Sequence, residues 1–185
     1  EKNKMLKIDS ASKTFFPGTP NEVQALKKIC LTIADGSFTA IIGTNGSGKS
    51  TLLNAVAGTF FLDQGRLHLS KYEITKWQEF RRAKLIGRVF QNPFAGSAPE
   101  MTIAENIALS MHRGRKLSFK KAVTKKVLDE IAERVKSLNM GLENRLNNPI
   151  GTLSGGQRQA LTLLMATWIK PELLLLDEHT AALDP

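Results

Sequence analysis

The chain has 185 residues, enough to bury one hydrophobic core. Hydrophobic residues make up 42% and charged residues 23%, which is ordinary for a globular protein and excludes wholesale disorder. The formal net charge of +9 leaves an anionic partner open, such as a nucleotide, a nucleic acid or a lipid headgroup surface. Cys30 is the only cysteine, which excludes an intramolecular disulfide and a thiolate zinc site.

The first third of the chain is predicted to be mainly β-structure. A rough alternation over residues 5–15 predicts one strand, and residues 23–33 predict a second strand that ends at a turn. The continuous apolar run 38–42 predicts a short strand buried on both faces. A glycine-rich stretch follows this run, and residues 50–57 predict a helix. Strand, glycine loop and helix, in this order, are what a phosphate-binding turn requires.

The remaining two thirds are predicted to be richer in helix. Residues 65–69, 85–90 and 173–176 predict short strands. Thr75 is expected to open a short helix through a capping box with Gln78, and Ser154 to cap a helix that runs to about Trp168. An amphipathic helix is predicted from a stripe of apolar residues at intervals of three and four: Val123, Val127, Ile131 and Val135, with Leu138 beside them.

Residues 43–50 read GTNGSGKS, a complete GxxxxGKS phosphate-binding loop. Glycines let backbone N–H groups wrap around phosphates, and the helix that follows adds partial positive charge. Lys49 is expected to reach the β- and γ-phosphates, and the Ser50 hydroxyl to bind Mg²⁺. A glycine-rich turn of no special purpose is the alternative, which the flanking strand and helix disfavour. The predicted ATP contacts are Gly43, Thr44, Asn45, Gly46, Ser47, Gly48, Lys49, Ser50 and Thr51.

Two carboxylates follow the apolar run 173–176. Asp177 is expected to lie in the second coordination shell of Mg²⁺, and Glu178 to polarise the water that attacks the phosphate. A strand end that simply meets solvent would look similar. The phosphate-binding loop upstream favours the functional interpretation.

The sequence LSGGQ, residues 153–157, resembles the signature of the ATP-binding cassette (ABC) ATPases. Glycines cost a helix stability in its first turn, so the close approach of a phosphate is a good reason for them. A plain capped turn is the alternative. The resemblance extends over essentially the whole chain, with every motif in the family's order. It implies that Ser154, Gly155, Gly156 and Gln157 contact the ATP bound by a second copy.

Further roles follow from the resemblance alone. Gln91 matches the family's Q-loop glutamine, which helps to bind Mg²⁺ and senses the transmembrane partner. Phe15 takes the place of the aromatic residue that stacks on adenine, with Phe16 as an adjacent rival, although an aromatic residue on a strand is more often in the core. The D-loop, which crosses the family's dimer interface, corresponds to Ala182, Leu183 and Asp184.

Two departures from the family pattern are visible at the end of the chain. His179 follows Glu178 where many members have proline. The family's switch histidine lies beyond the next strand, so the sequence, which ends at Pro185, is expected to be truncated after the D-loop.

The resemblance implies an α/β fold with three parts inside one ABC ATPase domain, of which the C-terminal part is missing. Residues 1–37 and 60–90 are expected to form mostly an antiparallel β subdomain. Residues 38–59 and 169–185 are expected to form the P-loop core, and residues 92–168 the helical subdomain.

The implied function is ATP hydrolysis that powers transport of a small solute through a separate permease chain. A head-to-tail homodimer and an extracytoplasmic solute-binding protein are the further partners implied, and the motifs look like amino-acid-type uptake. With no run of about 18 apolar residues, the chain is expected on the cytoplasmic side of the membrane, bound through its permease. The alternatives are a soluble ABC ATPase acting on nucleic acid or ribosomes, which the basic charge keeps open, and a module that holds ATP without turnover.

Overall fold

The computed structural model describes residues 4–92, 94–114 and 123–177. The chain forms two compact units, Glu1–Arg82 and Ala83–Pro185. Within the described ranges, no helix combines the length and the apolar character that crossing a membrane requires. The division into three parts remains a prediction.

An antiparallel sheet dominates the first unit. Its strands are β1 (Lys4–Phe15), β2 (Val23–Ala34), β3 (Gln64–Leu69) and β4 (Tyr72–Glu73), in the spatial order β2-β1-β3-β4. The three longer strands confirm the sequence prediction, whereas the two-residue β4 was not predicted.

The alternation along β1 is rough because the strand contains a bulge. Leu6 and Ile8 are buried, but the next buried residue is Ala11, three positions on. The register with β2 shifts between Ile8 and Ala11, and Ser10 has a left-handed φ of 50°. One extra residue therefore moves the buried face from even to odd positions.

Two helices complete this unit. Helix α1 (Lys49–Ala57) confirms the predicted helix and buries Leu52, Ala55 and Val56. Helix α2 (Glu79–Arg82) is one turn long. The predicted capping box at Thr75 is wrong, because its hydroxyl instead accepts the Leu67 N–H at 2.9 Å, beside the β3–β4 turn.

The predicted buried strand at residues 38–42 is also wrong. These residues have no strand structure, and Phe38 and Ile42 are 88% and 94% exposed. The backbone leaves β2 in a turn, where the Ser37 N–H donates to the Ala34 carbonyl at 3.3 Å. Among the described residues of this unit, β1 to β4 hydrogen-bond only to one another, so the apolar run has no strand there to pair with.

In its described residues, the second unit combines a parallel strand pair with three α-helices. Strands β5 (Ile86–Val89) and β6 (Leu173–Leu176) pair in parallel, with Val89 opposite Leu176. The helices are α3 (Ile103–Met111), α4 (Lys125–Lys136) and α5 (Gly155–Thr167). The predicted amphipathic stripe is confirmed on α4, where Ile131 and Val135 are fully buried. They pack in a core shared with α3 and α5 that includes Ile103, Ile107, Leu142, Ile150 and Leu161.

Candidate functional site

The phosphate-binding loop is shaped by glycines that no other residue could replace without strain. Gly46 and Gly48 have left-handed φ values of 79° and 90°. At Gly48 a Cβ would lie 2.7 Å from the Ala25 carbonyl oxygen, so the loop sits directly against β2. Gly48 is also the N-cap of α1 and offers no side-chain cap, and the first turn carries no acidic residue. The positive end of the helix is therefore placed to receive an anion.

Lys49 closes this loop from its C-terminal side. Its Nζ donates to the carbonyl oxygens of Gly43 at 2.8 Å and Thr44 at 3.0 Å. The Ser47 N–H also donates to Thr44, at 3.2 Å, which tightens the turn. A bound phosphate would replace these carbonyls as the partner of the Lys49 ammonium.

Phe15 lies at the end of β1 in a small aromatic and charged cluster. Its ring meets Phe60 edge-on, with centroids 5.2 Å apart, and Lys13 Nζ lies 5.7 Å from its centroid. Asp63 accepts hydrogen bonds from Lys13 Nζ and from the Thr14 N–H, both at 2.7 Å. These bonds, first that of Lys13, lower the pKa of Asp63 below its ordinary value of 3.8.

Phe16, the rival for the base-stacking role, is 66% exposed and has a left-handed φ of 52°. Both aromatic side chains remain candidates on geometry alone. Phe60 and Asp63 could not be predicted as neighbours of Phe15, because they lie more than forty residues away in the sequence and no motif connects them.

In the second unit, Gln91 and Asp177 follow neighbouring parallel strands. Asp177 comes directly after β6, and its N–H donates to the Val89 carbonyl at 3.2 Å. Gln91 comes two residues after the end of β5. The carboxyl ends of parallel strands meet at one edge of a sheet, which is where α/β proteins bind ligands. The structure therefore places these two predicted residues at the same edge.

The signature residues form the N-terminus of α5. The Ser154 hydroxyl accepts the Gln157 N–H, and the Gln157 side chain accepts the Ser154 N–H, both at 3.3 Å. This is the predicted Ser154 cap, completed by Gln157 into a capping box. Ser154 and Gly155 are exposed, and a Cβ on Gly155 would meet nothing within 4 Å. The open face of this terminus is suited to an external anion.

The predicted residues are distributed over both units. The phosphate-binding loop, Ser50, Thr51 and Phe15 belong to the first, and Gln91, Asp177 and the signature belong to the second. Glu178, Ala182, Leu183 and Asp184 lie outside the described residues.

The family profile of ABC transporters matches residues 26–181. A tyrosine transport ATP-binding protein of Clostridioides difficile is 40% identical over 98% of this chain and 72% of its own length. A phosphate import ATP-binding protein of Aeropyrum pernix is 39% identical over 86% of this chain and 64% of its own length. The chain spans 46% of a sulfate/thiosulfate import ATP-binding protein of Halalkalibacterium halodurans, which is 37% identical to it.

Among solved structures, the chain resembles a dimeric ATP-binding cassette in a post-hydrolysis state bound to ADP and Pi. That likeness has a TM-score of 0.80 at 28% identity and covers 97% of this chain and 76% of the other. The expected fold, an ABC ATPase with an antiparallel sheet and helices, is thus confirmed. The chain belongs to the ABC transporter family and is an ATP-binding, ATP-hydrolysing subunit of a transport system.

Proposed function

We propose that this chain hydrolyses ATP in a head-to-tail dimer and thereby drives uptake of an amino-acid-type solute through a separate permease. The observation that carries the ATP site is the start of α1, where a helix without a side-chain cap follows left-handed glycines and Lys49 is folded onto the loop. Lys49 then binds the β- and γ-phosphates, and Phe15 stacks on the base. Thr44, Asn45 and the loop glycines offer backbone N–H groups.

Hydrolysis requires an activated water and stabilisation of the charge that develops on the phosphate. Glu178, which follows Asp177 at the end of β6 in the sequence, is assigned to the water. Lys49 stabilises the charge on the transferred phosphoryl group. The signature residues Ser154 and Gly156 of one copy approach the phosphates held by the other copy.

Mg²⁺ would be held by oxygen ligands, which this ion prefers. Ser50 offers a hydroxyl, and Gln91 and Asp177 offer an amide oxygen and a carboxylate at one edge of the β5–β6 pair. By chemical type, a hydroxyl, an amide oxygen and a carboxylate are ligands that Mg²⁺ binds. Mg²⁺, when bound, would neutralise part of the phosphate charge.

Support for the dimer comes from the ADP- and Pi-bound cassette, which is dimeric. Support for amino-acid-type uptake comes from the tyrosine transport relative. The permease and a solute-binding protein are the partners that such a system requires.

The test is stimulation of ATP hydrolysis by the solute. The complete protein is assembled with its permease and solute-binding protein in liposomes, and ATP turnover is measured with tyrosine, branched amino acids, phosphate or sulfate. We expect an amino acid to raise turnover and the inorganic anions not to. Stimulation by phosphate or sulfate alone would overturn the substrate class, and stimulation by nucleic acid without the permease would overturn transport.

A further inference from the structure

A contact between Phe94 and Arg158 joins the loop that begins at Gln91 to the signature helix. The guanidinium carbon of Arg158 lies 3.7 Å from the centroid of the Phe94 ring. Arg158 is the first residue after LSGGQ and is only 2% exposed, whereas Phe94 is 55% exposed and covers it. We propose that this pair is a latch, in which the position of the Gln91 loop sets the geometry of the signature N-terminus at Ser154.

The same guanidinium holds the backbone that precedes the signature. Its Nη2 donates to the carbonyl oxygens of Gly151 at 2.8 Å and Leu153 at 3.3 Å. Leu153 is the residue directly before the Ser154 cap. The buried guanidinium of Arg158 therefore contacts both the Phe94 ring and the backbone carbonyls that directly precede the signature.

The remaining donors of Arg158 make the ring contact important. Its Nε and Nη1 are buried and have no hydrogen-bond partner among the described residues. A buried cation that lacks acceptors depends on the aromatic face that it meets. Without the ring, Arg158 would be free to turn toward water, and its bonds to Gly151 and Leu153 would change with it.

Described residues on both sides of Phe94 lie against the same helix, α5. At Gly87, in the strand before the loop, a Cβ would lie 2.7 Å from the Ala166 carbonyl oxygen near the end of α5. At Gly96 a Cβ would lie 3.5 Å from Thr162 in the same helix. Phe94 extends this contact to the N-terminal part of α5, so withdrawal of the loop breaks its stack on Arg158.

The latch rests on the proposed role of the signature in binding the ATP of a second copy. It acts on association, since neither residue belongs to the phosphate-binding loop. Phe94→Leu should therefore weaken ATP-driven dimerisation about tenfold, a value between those of exposed and desolvated cation–aromatic contacts, and should leave the ATP affinity of the monomer unchanged. Phe94→Trp keeps an aromatic face and should retain dimerisation.

The experiment measures dimerisation by sedimentation with ATP, using the complete protein in a Glu178→Gln background. The matched control is Arg134→Lys, since Arg134 stacks on Trp168 at 4.4 Å and donates to its carbonyl at 3.1 Å, at the opposite end of α5. We expect this control to dimerise like the Glu178→Gln parent. Phe94→Leu in combination with Arg158→Lys should be no weaker than Arg158→Lys alone, because each variant breaks the same contact.

The outcomes separate the two claims. If the Glu178→Gln parent itself does not dimerise with ATP, the proposed function fails and the latch fails with it. If the parent dimerises and Phe94→Leu does so equally well, only the latch is overturned. Additive losses of dimerisation from Phe94→Leu and Arg158→Lys, or an equal loss in Arg134→Lys, would also overturn the latch. The contact would then have only a general packing role.

Discussion

Lys49 donates to the carbonyl oxygen of Gly43 at 2.8 Å, so the lysine spans the loop whose ligand it is expected to bind. The contact orients the ammonium and holds both ends of the loop together before a nucleotide arrives. Lys49→Ala should therefore raise the dissociation constant for ATP about tenfold or more, the value of a lost charge-assisted hydrogen bond. Titration calorimetry measures this, with the exposed Lys76→Ala as control. Unchanged affinity in Lys49→Ala would contradict the loop's assignment.

Glu178→Gln should separate binding from chemistry. The amide cannot take a proton from the attacking water, so kcat should fall about a hundredfold or more. The ATP dissociation constant should stay within about threefold, because the phosphate-binding loop is untouched. Turnover near that of the parent would remove Glu178 from the reaction.

Arg82 is expected to be the most costly single residue to remove from the first unit. It is 1% exposed, and burial lowers its pKa to about 10. Its guanidinium donates to four carbonyl oxygens at 2.7–3.1 Å, two of which, those of Ala55 and Val56, belong to the last turn of α1. Arg82→Ala leaves these buried acceptors without donors, so the free energy of unfolding should fall by more than about 3 kcal/mol.

The control for Arg82 is its neighbour Arg81. That residue is exposed and stacks on Trp77, with its guanidinium carbon 3.9 Å from the ring centroid. Arg81→Ala should cost less than about 1 kcal/mol in a urea titration. Equal losses of stability in the two variants would contradict the inference that the hydrogen bonds of Arg82 hold the end of α1 in place.

Asp63 should give the first unit a pH-dependent increment of stability. Its pKa is lowered in the folded state, so the increment is fully present above the ordinary value of 3.8 and is lost as the pH falls through the lowered value. Because the pair with Lys13 is partly exposed, Asp63→Asn should cost only about 1 kcal/mol at pH 7. Urea titrations at descending pH should show the two proteins converging below the ordinary value. A difference that grows on acidification would contradict the assignment.

The sequence predicted most strands and helices because their patterns are local. Val127, Ile131 and Val135 on α4, and the Ser154 cap of α5, depend only on residues within one or two turns. Prediction from local patterns fails at residues 38–42. An apolar run there predicts a buried strand, but the sequence does not show which strand it would pair with. It also fails at Thr75, because the Thr75 hydroxyl accepts a hydrogen bond from Leu67 in β3 instead of capping a helix.

The site residues are proposed from motifs that are contiguous in the sequence, whereas contacts between residues distant in the chain could not be predicted. The loop from Gly43 to Ser50 and the signature are short enough to read directly. The Asp63 bond to Lys13 and the Phe94 stack on Arg158 join residues about fifty or more positions apart, and neither has a sequence pattern.

The central claim, that the signature of one copy completes the ATP site of the other, is tested most directly by mixing two inactive variants. Lys49→Ala lacks the phosphate contact, and Gly156→Asp places a carboxylate where the partner's phosphate should lie. Each variant alone should be inactive in the complete protein, but a mixed head-to-tail dimer contains one site with both defects and one site with neither. We predict that ATP hydrolysis by the mixture rises clearly above the sum of the separate variants. Hydrolysis that stays at that sum would contradict the account.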